Sequence, residues 1–322
     1  MRFSTRYLLT LFFLSMLFWQ HADTTLIAQD NALLEKRLAE LEAENKALRK
    51  KINDIQKAAA LKSSNSKPNT DGLRIIVLPD DWGEAGLLDM KKVADSAAHP
   101  IASLLENSSF SPIMIQRSKT GPITLYQRGV GNEYIVRLDT GDRAWAQMAF
   151  QFAHEFCHII CNYRDVDNSQ LWFEETICEV ASLYSLRRMS ENWETNPPYS
   201  NWKSYAAALS DYANDRISIQ QEKKQSLAEF YRHHEAALET SGTNRELNNF
   251  IAVKLLKHFE DTPAGWQAVR YLNLGEPNEN KSFKTYLSGW YRRVPEKHRN
   301  FVTTIAREFE LDLLKPSDSR LE

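Results

Sequence analysis

The hydrophobic rhythm of the chain changes several times along its length. Tyr7 to Trp19 is an apolar run broken only by Thr10 and Ser15, and it follows Arg2 and Arg6. The run is shorter than the ~20 residues a bilayer-spanning helix needs and suits the core of an export signal. Ala22 fits a cleavage site, whereas Gln20 is bulky for the position two residues earlier. Residues 1–22 therefore read as a cleaved signal peptide or as a retained membrane anchor over residues 7–19. Either way, Arg2 and Arg6 stay in the cytoplasm and the remainder is exported, to the periplasm or beyond.

From residue 27 the period becomes seven. Ile27, Leu34, Leu41, Leu48 and Ile55 recur at d positions, and Asn31, Leu38, Asn45, Ile52 and Ala59 at a. Leucine at d with asparagine at a specifies a parallel two-stranded coil in fixed register. Across such a pair Arg37 faces Glu42 and Glu44 faces Arg49, while Asp30 against Glu35 is repulsive. A parallel coiled coil is expected over 23–60, with residues 27–59 as the seam of a homodimer; one amphipathic helix packed on the protein's own core is the alternative. Residues 61–72, LKSSNSKPNTDG, lose all apolar period and read as a linker.

After the linker the pattern becomes that of a folded domain. Leu73 to Leu78 predicts a buried strand, and Leu87 to Leu105 has helical spacing with Pro100 inside it. Pro112 to Gln116, Ile123 to Gln127 and Tyr134 to Leu138 predict short strands, with turns at Gly121-Pro122 and Gly129 to Gly131. A helix should follow, capped by Asp142 or Thr140 and running to about Cys161, and a second should run from Leu171 to about Met189. Residues 191–322 carry helical spacing over Trp202–Tyr212, Gln225–Leu238, Glu246–Phe259, Trp266–Leu272, Phe283–Tyr291 and His298–Leu314.

Composition narrows the function classes. The chain is 43% hydrophobic and 25% charged, with a formal net charge of −2. That suits a folded protein and excludes the basic face a nucleic-acid binder shows. Three cysteines are too few for a disulfide scaffold. Cys157, Cys161 and Cys178 all fall on the two central helices and read as small buried hydrophobes; a Cys161–Cys178 pair in an oxidising compartment is the alternative.

The chemistry lies on those same two helices. His154-Glu155-Phe156-Cys157-His158 places two imidazoles at i and i+4, on one face, within reach of a single metal ion. Glu155, next to the first ligand, is positioned to move a proton between a metal-activated water and a leaving amine. Its neighbours Phe152, Ala153, Phe156, Cys157, Ile159 and Ile160 are apolar, so the histidines are expected to be buried and in need of partners. On the next helix Glu175 and Glu179 are again i and i+4, in an equally apolar frame. One carboxylate can bind the metal while the other accepts the N–H of a ligand histidine from behind.

HEFCH followed by WFEETICEVASLY resembles the gluzincin metallopeptidases, and is similar to their aminopeptidase-type branch, in which a W-L-N-E-G-like run supplies the third ligand. The resemblance implies an α+β, thermolysin-like catalytic domain over 73–190, built of a small mixed sheet and the HExxH helix, with a helical lobe over 191–322 closing the cleft. It implies Zn2+ held by His154, His158 and Glu175, with Glu179 behind them and Glu155 as general base toward a scissile peptide carbonyl. It further implies a sheet edge beside the active helix to hold a peptide or protein substrate, for which Tyr134 to Leu138 is the candidate. The spacer after His158 is short for such families, so Glu174 and Glu179 stay open as alternative ligands. No G-x-M-E-N-like exopeptidase motif precedes the helix. Asn249 stands where the aminopeptidase branch has a catalytic tyrosine, which leaves Tyr231, His233 and His234 as oxyanion candidates. The second reading keeps the fold without the chemistry: an envelope scaffold acting through its coil and a peptidase-like binding module.

Overall fold

The computed structural model describes residues 34–44, 46–47, 50, 72–106, 109–166, 168–221, 224–276 and 282–313. The chain divides into two units, Met1–Lys67 and Pro68–Glu322. In the first, residues 34–44 are helical, and Leu34, Leu38 and Leu41, three successive heptad positions, are exposed. The remaining heptad positions, the apolar run at Tyr7–Trp19 and residues 51–71 lie outside the described residues. Among the described residues no helix is long and apolar enough to cross a membrane.

The second unit is mixed α/β, mostly helical, with one four-stranded sheet. Its elements are β1 (Ile75–Val77), α1 (Leu87–Ala102), β2 (Ile113–Arg117), β3 (Ile123–Thr124), β4 (Tyr134–Leu138), α2 (Trp145–Ile160), α3 (Leu171–Trp193), α4 (Ala206–Gln221), α5 (Leu227–Thr240), α6 (Arg245–Asp261), α7 (Trp266–Val269), α8 (Phe283–Arg293) and α9 (Glu296–Glu308). Short 3-10 turns occupy Ser200–Tyr205 and Pro263–Gly265. The strand order is β1-β2-β4-β3. β1, β2 and β4 run parallel, in register from Ile75 with Ile113 and from Ile113 with Tyr134. β3 pairs antiparallel to β4 through Ile123–Arg137 and Thr124–Val136.

Two expectations about this region are corrected. Tyr134–Leu138 is not an edge: β4 is flanked by β2 and β3, and the edge on that side is the two-residue β3. Asp142 does not cap α2. It sits at φ +52°, and its Oδ1 accepts from Glu84 N at 2.9 Å, clamping the loop around Gly83 instead. A Cβ at Gly83, itself at φ +64°, would overlap that carboxylate, so the loop and the aspartate require each other. Pro100 is accommodated inside an unbroken α1, which ends at Ala102, at the loss of one N–H bond to the i−4 carbonyl.

Burial explains the helical pattern. α1 buries Met90, Val93, Ala94, Ala97, Ala98 and Ile101, one stripe at 3–4-residue spacing, and packs against β1, α2 and α3. α2 is buried except along Gln147, Phe150, Gln151, His154 and His158, which recur on one face. Gln151 ties that helix to the end of β4: its Oε1 accepts from Asp139 N at 2.9 Å and its Nε2 donates to Asp139 O at 3.0 Å. Over its first half α3 leaves only Leu171, Glu175 and Glu179 partly open, again i, i+4 and i+8. The boundary expected at 190 falls inside α3, which packs against α1 and α2 on one hand and α4 and α6 on the other.

The start of α3 is locked into the C-terminal helices by rings. Phe173 is fully buried and meets Trp172, Phe283, Tyr286, Trp290 and Phe309 at centroid distances of 5.0–6.2 Å. Replacing such a ring by alanine removes both its transfer energy and its edge-on partners. Phe173→Ala is expected to cost about 3–5 kcal/mol in urea unfolding of the metal-free protein. Ile123→Ala, at a side chain 47% exposed, should cost well under about 1 kcal/mol in the same assay.

Candidate metal centre

The open stripes of α2 and α3 face each other and bring the predicted residues together. His154 Nε2 lies 3.2 Å from Glu175 Oε2, and His158 Nε2 lies 3.6 Å from Glu175 Oε1. One carboxylate thus spans the outer nitrogens of both imidazoles, whose ring centroids are 5.1 Å apart. Ligands held ~2.0–2.2 Å from a tetrahedral ion stand roughly 3.3–3.5 Å from one another. These separations, each to a different oxygen of Glu175, lie on either side of that spacing.

The inner nitrogens are occupied from behind. His158 Nδ1 lies 2.7 Å from Glu174 Oε1, and His154 Nδ1 lies 3.7 Å from Glu179 Oε2. A carboxylate only accepts, so Nδ1 of His158 carries the hydrogen and Nε2 is the nitrogen left for a metal. Glu174 is itself anchored: Asn273 Nδ2 donates to its Oε2 at 2.6 Å, and Tyr286 Oη donates to Asn273 Oδ1 at 2.9 Å. Glu174, Asn273 and Tyr286 are all buried. Of the three acids left open by the sequence, Glu175 faces the two Nε2 atoms, whereas Glu174 and Glu179 face the Nδ1 side. Asn273 and Tyr286 were not foreseen, since nothing in their neighbourhoods marks them and only tertiary folding brings them to Glu174.

Cys178 also enters the picture. His154, His158 and Cys178 each offer a ligand atom, all within 4.8 Å of one another, a largely buried His/Cys group able to hold a metal ion. Cys157, Cys161 and Cys178 form a second close group beneath it. All three thiols are free and buried, so the alternative Cys161–Cys178 pairing is not formed. Burial pushes the Cys161 and Cys178 thiols well above their usual range, so both are uncharged at neutral pH.

Glu155 is tied to the sheet beside this group. Its Oε2 lies 2.8 Å from Thr124 Oγ1, which is also 3.0 Å from the main-chain oxygen of Glu155. A single hydroxyl hydrogen serves one of these at a time, and either choice ties α2 to β3. Glu155 is 3% exposed yet lines the same cleft as the histidines. That cleft holds about 580 Å³. Pro122, Ile123 and Thr124 of the β3 edge line it, as do Tyr126 and Tyr163 beyond the edge. α4 contributes Tyr212 and Arg216, and the start of α6 contributes Arg245, Asn248 and Asn249. Tyr231, His233 and His234 do not line it. Tyr231 is buried among Trp172, Phe283 and Phe309 and donates to Glu235 Oε1 at 2.6 Å, while His234 packs on Phe230.

Charge in the metal-free centre follows from these contacts. Burial pulls the His154 pKa down, but the Glu175 and Glu179 hydrogen bonds and the Glu155 charge outweigh it, leaving it well above the usual value. For His158 burial again opposes, and the Glu174 bond and charge prevail, holding the pKa at about 9. Burial raises Glu175, and the His154 bond with the charges of His158, His154 and Arg245 more than reverses this. Without metal the centre is therefore an imidazolium–carboxylate network. No family model, curated protein or solved structure matches the chain.

Two measurements check this centre. The His158 pKa is about 9 in the metal-free fold and roughly 6.5 in an unfolded chain. Its contribution to stability is thus fully present below about pH 6.5 and lost as pH rises through about 9. Thermal melts in chelator should show the metal-free protein weakening across that window, and Glu174→Gln should flatten the trend. Metal must displace the Nε2 proton, so affinity should climb over the same range. Second, Asn273→Ala should weaken metal binding about 10–100-fold in competition titrations, with Tyr286→Phe weakening it less.

Proposed function

We propose that the chain is a zinc-dependent metallopeptidase, exported and paired through its N-terminal coil. The observation that carries the reading is the division of labour among the carboxylates: Glu175 spans both Nε2 atoms, Glu174 bonds His158 Nδ1, and Glu179 stands 3.7 Å from His154 Nδ1. His154, His158 and Glu175 are the residues that would hold the ion, with Cys178 close by as a softer donor. Imidazole, carboxylate and thiolate are all donors that zinc accepts. Zinc bound there supplies Lewis acidity, which polarises a carbonyl and eases deprotonation of water.

The chain's own residues supply the rest. Glu155 accepts a proton from the attacking water and returns it to the nitrogen of the departing amine. Thr124 restrains that carboxylate through Oε2. No protein bond occupies Oε1 among the described residues, and that atom is the one to which proton transfer is assigned. β3 is the edge strand on that side and lines the cleft, and an extended peptide would add to it as a further strand. Glu174 fixes the tautomer and tilt of His158. The role expected of Tyr134–Leu138 thus passes to β3.

The test uses the full chain and its Glu155→Gln variant, each assayed for bound zinc and for cleavage of a broad peptide library. Zinc should be retained by both, and kcat/KM should fall by about 10²–10⁴ in the variant. A wild-type protein that binds no zinc would sink the reading. Zinc without any Glu155-dependent cleavage would instead favour the scaffold role.

A further inference from the structure

The wall of the cleft formed by α4 and α6 has features that the peptidase reading does not use. Arg216 on α4 is held in place: its guanidinium lies 3.8 Å from the Tyr212 ring centroid and 4.5 Å from that of Phe150. Its Nη2 donates to Tyr212 Oη at 2.7 Å and its Nη1 to Tyr212 O at 3.4 Å, which leaves one hydrogen on each terminal nitrogen for a ligand. Arg245 opens α6, lines the same cleft, and its charge contributes to lowering the Glu175 pKa. Among the described residues neither arginine has a carboxylate within ion-pair distance. The same wall carries acceptors without partners. Asn248 is 4% exposed, commits Nδ2 to Gly242 O at 2.7 Å, and leaves Oδ1 unpaired; Asn249 Oδ1 is buried and also unpaired.

These groups complement a particular kind of ligand. Unpaired amide oxygens seek N–H donors, which a peptide backbone provides. A guanidinium stacked on aromatic rings, with part of its edge free, is preorganised for a carboxylate. The charge balance agrees. Glu155, Glu174, Glu175 and Glu179 together exceed the charge of one divalent ion by two, which would repel an acidic substrate, and Arg216 and Arg245 offset that excess.

Resting on the peptidase reading, we infer that the cleft selects peptides bearing a carboxylate, bound by Arg216 and Arg245 while Asn248 and Asn249 accept backbone N–H groups. The carboxylate comes either from an Asp or Glu side chain or from the C-terminus of the peptide. Both present the same planar anion, and the test separates them.

The experiment uses zinc-loaded full chain carrying Glu155→Gln, so that ligands bind without turnover. Affinities are measured for short N-acetylated alanine peptides in four forms: Glu or Gln at a central position, each with a free or an amidated C-terminus. A carboxylate should tighten binding about ten- to hundredfold over its amide counterpart. The form that gains identifies the source: Glu over Gln means a side chain, free over amidated means a C-terminus. Arg216→Gln and Arg245→Gln, added separately and together, should bring the acid-to-amide ratio toward one, with zinc content and melting temperature checked in each. Equal binding of all four forms overturns the inference. So does a preference that survives the double substitution, or variants that lose zinc instead of selectivity, which would make the arginines mere charge balance for the carboxylates. The peptidase reading fails separately, on wild-type cleavage: carboxylate-selective binding without Glu155-dependent hydrolysis would uphold the inference and remove the enzyme.

Discussion

Helices α2 and α3 meet across small side chains, and the rest of the second unit depends on how closely they approach. Cys157 on α2 and Cys161, which caps it, lie with their sulfurs within 4.8 Å of that of Cys178 on α3. The contact is stitched from both sides. Ser182 Oγ donates to Phe150 O at 2.9 Å, and Cys157 Sγ donates to Ile177 O at 3.7 Å. Small residues let two helix backbones come near enough for the short Glu175 side chain to span both histidines. A Leu or Phe at Cys157 or Cys178 would force the axes apart, and separations of 3.2 and 3.6 Å would not survive a shift of even a side-chain width.

That closeness creates a problem which the C-terminal helices solve. Four carboxylates and two imidazoles are packed beneath a cleft, largely out of water, where uncompensated charge is expensive. Glu174 is the most enclosed of the carboxylates facing the histidines, and it is also the one with the fullest set of partners: His158 on one oxygen, Asn273 on the other, and Tyr286 completing the chain. Asn273 follows α7 and Tyr286 lies on α8, so the helical half of the unit closes the polar network that the first half opens. The aromatic cluster around Phe173 supplies the apolar burial that keeps those helices in place. Core packing and site geometry are therefore coupled through adjacent residues, with Phe173 in the rings and Glu174 in the network.

The sequence makes some of this legible and hides the rest for identifiable reasons. Residues at i and i+4 share a helix face, so the pairing of His154 with His158 and of Glu175 with Glu179 can be read from spacing alone. The cleft-facing stripes of α2 and α3 follow from the same rule. Glu174 and Glu175 are harder, because neighbours on a helix point about 100° apart and only the orientation of α3 decides which one meets Nε2. Thr124 belongs to a two-residue strand too short to show alternation, and β4 shows the stronger strand pattern precursor to an edge without being one. Asp142 looks like a helix cap, yet it closes a loop with Glu84, a contact across 58 positions that local rules do not reach. Asn273 is 99 positions from Glu174 and stands in an ordinary turn.

The cleft combines two kinds of surface with different mechanical character. Its floor is built from the last turns of α2 and the first turns of α3, where Glu174 bonds to buried Asn273 and Glu155 to buried Thr124. Its rim is built from ends and edges: the two-residue β3, Tyr126 at 51% exposure, and the first turn of α6 at Arg245. Preorganised donors and acceptors are most effective where they cannot relax, which suits the floor to holding an ion and a proton acceptor. Rim groups tolerate substitution, and a change there alters what is admitted without disturbing what is held. The Thr124–Glu155 contact is the main link between the two, because it joins a rim strand to the carboxylate on the floor. Movement of β3 would thus be transmitted to Glu155 directly.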